Sequence, residues 1–341
     1  MSLPPARILG IETSCDETAA AVVSDGRVVK SNVVASQIDL HAQYGGVFPE
    51  LASREHVKVI DVVVSEALRQ AHVNPQEIDA IAVTQGPGLA GSLVVGLNFA
   101  KGLALASGKP LIGINHLEGH IYSAWLNPTN TATHQPPRFP LLALLVSGGH
   151  SELILMTDHL TYQRLGGTLD DAAGEAFDKI ARLLDLPYPG GPSVQEASAA
   201  GKDTAFAFPK AMLEDSWDFS FSGVKTAVLR TVEALQEEGR PLPVEDLAAS
   251  FQAAVIDVLV EKTLLAAQEH KVREIIVAGG VSANQRLREK FLAESKHPVH
   301  IPPLFLCTDN AAMIAGAGYF HYVKDDFSPF DIDALPTWPL S

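Results

Sequence analysis

Cysteine is nearly absent from this 341-residue chain: Cys15 and Cys307 are the whole complement. Two thiols cannot staple a fold of this size, which excludes a disulfide scaffold and points to a reducing compartment. Long apolar runs are missing too. The greasiest stretch, Gly91 to Gly108, is broken by Lys101, and the apolar run near the N-terminus soon meets Glu12, so neither a membrane span nor a signal peptide is expected. The expectation is a soluble cytoplasmic protein with no membrane partner. Positive charge is scarce, with 25 Lys and Arg against 40 Asp and Glu and a formal net charge of −15. A surface this acidic repels polynucleotides, so an RNA partner would need a local basic patch, a bridging metal or a helper subunit. The phosphate-cradling string GxxxxGK[ST] is also absent, which removes the P-loop route to nucleotide binding.

What the chain does have is length for two domains and a core, with 47% hydrophobic residues. Its element order repeats. Arg7 to Thr13 and Thr18 to Val23 are β-branched apolar runs joined by a polar turn, and a third run spans Arg27 to Ala35. From Phe139 the pattern returns as Leu141 to Val146, the turn SGGHS, Glu152 to Met156, and a strand near Thr161 to Leu165. Each half continues with a long amphipathic helix (53 to 72; 244 to 270), a short buried strand (78 to 84; 274 to 278), a glycine-rich turn, a helix and a last strand (111 to 114; 300 to 301). Two such α/β units predict the duplicated architecture of the actin, hexokinase and Hsp70 class, in which nucleotide lies in a cleft between lobes. The proline-rich stretch Asn127 to Pro140 is the expected boundary, dividing an N-terminal lobe, 1–130, from a C-terminal lobe, 139–341. A C-terminal helix packing back on the first lobe is compatible with this division. Residues 169 to 244 form a helical insertion without a counterpart in the first half.

His116 and His120 stand four apart in NHLEGHIYSAW, on one face of a helix, and follow directly on a strand end. A divalent metal needs a third ligand, for which Asp309 in LCTDNAAMIAGAG is the candidate; a helix N-cap is the competing role for the same residue. Glu118 does not occupy the HExxH position of a metalloprotease base. Three glycine turns, SGGH at 147 to 150, PGGP at 189 to 192 and GGVSAN at 279 to 284, let backbone approach a phosphate or nucleoside closely. Carboxylates gather at Asp16 and Glu17 and in LDDAAGEAFDK, where Asp171, Glu175 and Asp178 are spaced to share a helical face, with Asp178 placed for ribose hydroxyls. Lys179, Arg182, Lys202, Lys210, Lys225 and Arg230 give the insertion a local basic character, so it is either an RNA-docking face or ordinary surface charge.

Together the strings GIETSCDET, HAQYGGVFPELASREH, GPGLAGSL, HLEGH, LLVSGGH, DDAAGEAFDK, YPGGP, DFSFSGVKT, GGVSAN and CTDNAAMIA closely resemble the TsaD family of tRNA N6-adenosine threonylcarbamoyltransferases, to which the KEOPS catalytic subunit is related. The resemblance runs from about Ile8 to Pro339. It implies transfer of threonylcarbamoyl from threonylcarbamoyl-AMP to N6 of adenosine 37 in tRNAs reading codons that begin with A. It also implies His116, His120 and Asp309 as ligands of one divalent ion, with iron(II) preferred and zinc(II) the alternative. By the same resemblance Leu145, Val146, Ser147, Gly148, Gly149, Asp178, Gly191 and Asn284 contact the adenylate. Asp16 and Glu17 match residues needed for activity; Asp16, Glu17 and a substrate phosphate oxygen all stand as candidate proton acceptors. TsaB and TsaE are the implied partner proteins. A longer linker at 127 to 140 and Ser151, in place of a frequent Thr, depart from the pattern without touching a ligand position. The alternatives are a small-molecule kinase of the same fold and, with less support, a metalloprotease.

Overall fold

The computed structural model describes residues 5–128, 135–213 and 216–340. Contacts divide the chain into two compact units, one of Met1–Pro137, His159–Thr161 and Pro302–Ser341, the other of Arg138–Asp158 and Tyr162–Ile301. Within the expected linker, residues 129–134 lie outside the described residues, as do 214–215 of the insertion.

The first unit opens with strands β1 (Arg7–Glu12), β2 (Glu17–Ser24) and β3 (Val28–Ser36), followed by a short helix α1 (Ile38–Ala42) and the long α2 (Pro49–Ala71). Next come β4 (Ala80–Gly86), α3 (Ala90–Ser107), β5 (Leu111–Asn115) and α4 (His116–Tyr122). The sheet order is β3-β2-β1-β4-β5, with β1 antiparallel to β2 and β2 to β3, and β4 parallel to both β1 and β5. Because side chains alternate across a strand, β1 sends Leu9 and Ile11 into a core with Ile60, Val64 and Ala67 of α2 and Leu97 and Ala100 of α3. Ile8, Gly10 and Glu12 therefore point to the other face.

The second unit repeats the plan. Strands β6 (Leu141–Val146), β7 (Ser151–Asp158) and β8 (Thr161–Gly167) lead to helices α5 (Ala173–Leu183), α6 (Gly190–Ser198), α7 (Ser222–Glu237) and α8 (Val244–Glu269). Then follow β9 (Glu274–Ala278), α9 (Gln285–Glu294) and β10 (Val299–His300). The order β10-β9-β6-β7-β8 mirrors the first sheet, with β6 antiparallel to β7 and parallel to β9. The expected insertion supplies α5, α6 and α7, whose apolar faces close on α8 through Phe177, Phe219, Phe221, Phe251 and their neighbours. Phe177 and Phe251 meet edge to face, ring centres 5.2 Å apart.

The last helix, α10 (Ala311–Tyr322), covers the second face of the first sheet and is buried from Ala311 to Phe320. Small residues permit its close approach. A methyl group at Gly10 would overlap the Ala311 carbonyl and come within 2.7 Å of the Ala315 nitrogen, and one at Gly318 would lie 2.6 Å from the Ala82 Cβ. The stretch after Pro302 thus belongs with the first unit. Asp309 and the histidine pair lie in one unit, not in opposite halves as the linear repeat suggests. Among the described residues one helix, α3, is long and apolar enough by composition to cross a membrane; its Leu93, Leu97, Ala100 and Ala104 are buried on the sheet side.

Replacing Gly10 by valine should destabilise the protein by about 3 kcal/mol, because the added side chain meets backbone that cannot yield. The control is Gly102→Ala, in open space on α3, which should stabilise by up to about 1 kcal/mol. Chemical denaturation of the two variants checks both signs.

Candidate metal centre and glycine turns

Strand β5 runs directly into α4, and the junction builds the histidine pair. Asn115 caps the helix, its side-chain oxygen accepting from the amides of Leu117 (2.9 Å) and Glu118 (3.4 Å). His116 is then the first helical residue and His120 lies one turn on, the two rings edge to face with centres 4.7 Å apart. Asp309 Oδ1 stands 3.4 Å from His116 Nε2 and 3.2 Å from His120 Nε2, and ligand atoms of all three residues lie within 4.8 Å of one another. The N-cap role considered for Asp309 falls to Asn310, whose side chain accepts from the Met313 amide at 3.1 Å. Asp309 is thereby released from capping α10.

Electrostatics at this point are severe. Asp309 is held well below the ordinary carboxylate range: burial alone would raise it, but the imidazoles of His116 and His120 outweigh burial. His116 is held well above the ordinary imidazole value, since Asp309 and Glu12 outweigh the burial that would lower it. His120 is almost completely buried; its Nδ1 has no hydrogen-bond partner, and its Nε2 makes no well-aligned hydrogen bond although the Asp309 carboxylate lies 3.2 Å away. A buried imidazole without a well-aligned hydrogen bond is costly unless its lone pair is used, and two imidazoles with one carboxylate suit zinc(II) or non-haem iron(II). The residues therefore fit one divalent ion.

Sequence reasoning missed Glu12. Fully buried at the end of β1, it lies 2.9 Å from His116 Nδ1 through Oε2, accepts from the Thr84 hydroxyl at 2.6 Å and receives the Ser14 amide. Burial would raise its pKa, but His116 and Thr84 hold it below the usual range. The signal was present: a charged residue closing an otherwise apolar run, in phase with Gly10. A carboxylate on Nδ1 leaves Nε2 to face Asp309, the arrangement that orients a ligating histidine and raises its basicity.

The turn after β1 carries Asp16 and Glu17. Ser14 Oγ lies 3.1 Å from His116 Nδ1, and the Ser14 carbonyl accepts from the Leu89 amide at 2.8 Å. Burial, then Asp309 and Asp16, push Glu17 up to about 9. Burial also pushes the Cys15 thiol up, so it stays protonated and is no nucleophile.

The remaining candidates lie in the second unit. Leu145 and Val146 have buried side chains at the end of β6, whereas Gly148 and Gly149 are exposed and open to close approach. The Gly174 amide at the start of α5 donates to the Ser147 carbonyl at 3.1 Å. Asp178 accepts from the Gly190 amide at 2.8 Å, its pKa raised by burial, and Gly191 faces open space. Asn284 caps α9, its side-chain oxygen accepting from the Leu287 N–H (3.1 Å), and donates to Gln252 (2.7 Å), which leaves one lone pair and one N–H of the amide for a further partner. One expectation needs correction. Asp171 precedes α5 and pairs with Lys179 and Lys225, each at 2.6 Å, so it shares no helical face with Glu175 and Asp178. Of the six basic residues read as either an RNA-docking face or ordinary surface charge, Lys210 pairs with Asp257 at 2.6 Å, so with Lys179 and Lys225 three have acidic partners, in keeping with the second reading.

Paired sheets of one topology, with a histidine pair and an aspartate beside the C-terminal ends of β1 and β5, define a duplicated protein of the actin, hexokinase and Hsp70 class carrying a candidate metal centre. The fold is shared with HypF of T. kodakarensis at a TM-score of 0.63 and 13% identity, over 96% of this chain and 50% of that one. Residues 28–316 match the TsaD family, described as tRNA N6-adenosine threonylcarbamoyltransferase. The enzyme of that name from Thermomicrobium roseum is 54% identical, covering 98% of this chain and 96% of its own, and that from Dehalococcoides mccartyi 54%, covering 97% and 98%. The chain belongs to this family of acyltransferases that modify tRNA.

Two outcomes follow from the geometry. Glu12→Gln keeps the shape but removes the charge behind His116, and should weaken zinc(II) or iron(II) binding about 10- to 100-fold in equilibrium dialysis. Asp309 and Glu12 favour the protonated His116 ring in the metal-free protein, so metal uptake competes with that proton. Affinity should therefore fall as pH falls, and a pH-stat should record acid release on zinc(II) addition.

Proposed function

We propose that this chain transfers the threonylcarbamoyl group from threonylcarbamoyl-AMP to N6 of adenosine 37 in tRNAs reading codons that begin with A, assisted by a divalent ion at His116, His120 and Asp309. The observation that carries this reading is the gathering of the His116 and His120 imidazoles and the Asp309 carboxylate, ligand atoms within 4.8 Å of one another, in a chain of this family. The substrate is a mixed carbamoyl-phosphate anhydride, already activated, so no enzyme nucleophile is required; the protonated state of Cys15 agrees with that. The N6 lone pair adds to the carbamoyl carbon, the C–N bond forms, the C–O bond to phosphorus breaks, and AMP leaves with the electron pair while N6 loses a proton. Orientation and charge stabilisation dominate such a step. When bound, the ion supplies Lewis-acid stabilisation of phosphate and carbonyl oxygens; iron(II) is preferred over zinc(II).

The chain's own residues do the rest. Glu12 and Ser14 fix the His116 ring. Glu17, kept protonated at neutral pH, is a hydrogen-bond donor, which leaves Asp16 or the departing phosphate to take the N6 proton. In the second unit the bare backbone of Ser147, Gly148, Gly149 and Gly191 receives the adenylate beside Leu145 and Val146, and Asp178 accepts from ribose hydroxyls. Asn284 joins them from the turn that opens α9, which its side chain also caps. TsaB is assigned to the first unit, where Val57 and Val62 of α2 and Val94 and Leu105 of α3 are exposed apolar side chains, and TsaE joins that assembly. The cytoplasm, where tRNA is, is the proposed location.

Mass spectrometry of tRNA nucleosides after incubation with threonylcarbamoyl-AMP and the partner proteins should show threonylcarbamoyladenosine with the unaltered chain. His120→Ala should lower it at least 100-fold. No product from the complete mixture refutes the proposed reaction; undiminished product from His120→Ala refutes the role of the ion.

A further inference from the structure

The string HAQYGGVFPELASREH is bracketed by two histidines, His41 and His56, and both are fully buried. Neither belongs to the metal centre. His56, on α2, has Nε2 3.0 Å from the Cys15 carbonyl and Nδ1 2.8 Å from the Thr18 hydroxyl. Gln37 sits between the rings: its Nε2 is 3.5 Å from His56 Nδ1 and donates to the Ala52 carbonyl at 3.3 Å, while its Oε1 is 3.1 Å from His41 Nε2. His41 Nδ1 accepts the Phe48 amide at 3.2 Å. Finally, the Gln37 amide donates to the Asp16 carbonyl at 3.1 Å, and Ser36 Oγ donates to Glu17 Oε1 at 3.1 Å.

These bonds leave each proton one place. A carbonyl carries no proton, so His56 Nε2 must be N–H; Gln37, oriented by His41, turns its amide N–H toward His56 Nδ1, which is therefore a lone pair and receives the Thr18 hydroxyl as well. A backbone amide can only donate, so His41 Nδ1 is a lone pair and its Nε2 is N–H, directed at Gln37 Oε1. The glutamine orientation follows from the rings, since a flipped amide would set donor against donor at His41. The relay is therefore neutral throughout, has a single direction, and ends on the peptides of Cys15 and Asp16.

We infer that His56, Gln37 and His41 are positioning residues for the reaction: they fix the turn bearing Asp16 and Glu17 against α2 and the 43–48 loop. On its other side the turn is tied to Leu89 and His116. Held from both sides, the two carboxylates keep their place relative to Asp309, and loosening the outer tie moves them without touching the metal ligands or the adenylate turns. This rests on the assignment of Asp16 and Glu17 to the reaction.

The test uses the full chain with its partner proteins and tRNA. His56→Leu should lower kcat about 10- to 100-fold while KM for threonylcarbamoyl-AMP and bound metal stay within threefold of the unaltered protein. His56→Gln, which keeps an N–H for the Cys15 carbonyl, should recover most of the loss. Gln37→Met, which cuts the relay at its middle, should fall between them. In the unaltered protein, nitrogen NMR at pH 7.5 should find both rings neutral with the proton on Nε2. A kcat within threefold of normal in both His56→Leu and Gln37→Met overturns the inference, as does an imidazolium or Nδ1–H form of His56. Equal loss of kcat and bound metal in the leucine and glutamine variants also overturns it, since that marks a purely structural role. Asp16→Asn is the separate control: if it retains full kcat, the assignment of the turn fails, whatever the ring nitrogens show.

Discussion

A line of alternating charge, Glu12 to His116 to Asp309, is the constraint around which the first unit is built. Its members come from three distant stretches of chain: the end of β1, the start of α4 and the turn before α10. Removing one partner of such a buried set leaves an uncompensated charge, which costs about 3–5 kcal/mol. The line is therefore held by the fold as much as it shapes the site. Assembly depends on how close α10 comes to the sheet, and that distance is set by Gly10, Ala82 and Gly318. Side chains there would lift α10 and carry Asp309 away from both imidazoles.

The two units divide the labour by sequence origin. Every proposed metal ligand, together with Asp16 and Glu17, lies in the first unit, and every proposed adenylate contact lies in the second. The second unit offers mostly backbone: Gly148, Gly149 and Gly191 are open, and the polar side chains around them are largely spent on one another. Asn284, Gln252 and Ser198 form a hydrogen-bonded chain of this kind. Turns of bare backbone favour phosphate, whereas the first unit concentrates acid–base groups. That separation suits a reaction in which one substrate arrives activated and the other must lose a proton.

Much of this was legible in the sequence because it rests on periodicity. The strand runs, the duplicated order and the four-residue spacing of His116 and His120 are local patterns, and local patterns survive into structure. Asp309 was legible as a carboxylate at a strand-to-helix turn, but whether it caps or ligates was not, because Asn310 next to it is an equally good cap. Glu12 was hidden because a buried carboxylate inside an apolar strand looks like the end of the strand until its long-range partners are known. The same holds for Asp171: its spacing to Glu175 suggested a helix face, but its lysine partners at 179 and 225 hold it in the preceding turn. That the C-terminal helix packs back on the first lobe was legible only as a possibility, since which sheet a helix covers is decided by packing rather than by order along the chain.

X-ray absorption on the protein loaded with one equivalent of iron(II) or zinc(II) addresses the central claim directly. Two imidazoles in the first coordination shell, at about 2.0–2.2 Å, are predicted for the unaltered chain, with one lost in His120→Ala. A shell of oxygen alone, or an unchanged imidazole signal in that variant, would contradict the account.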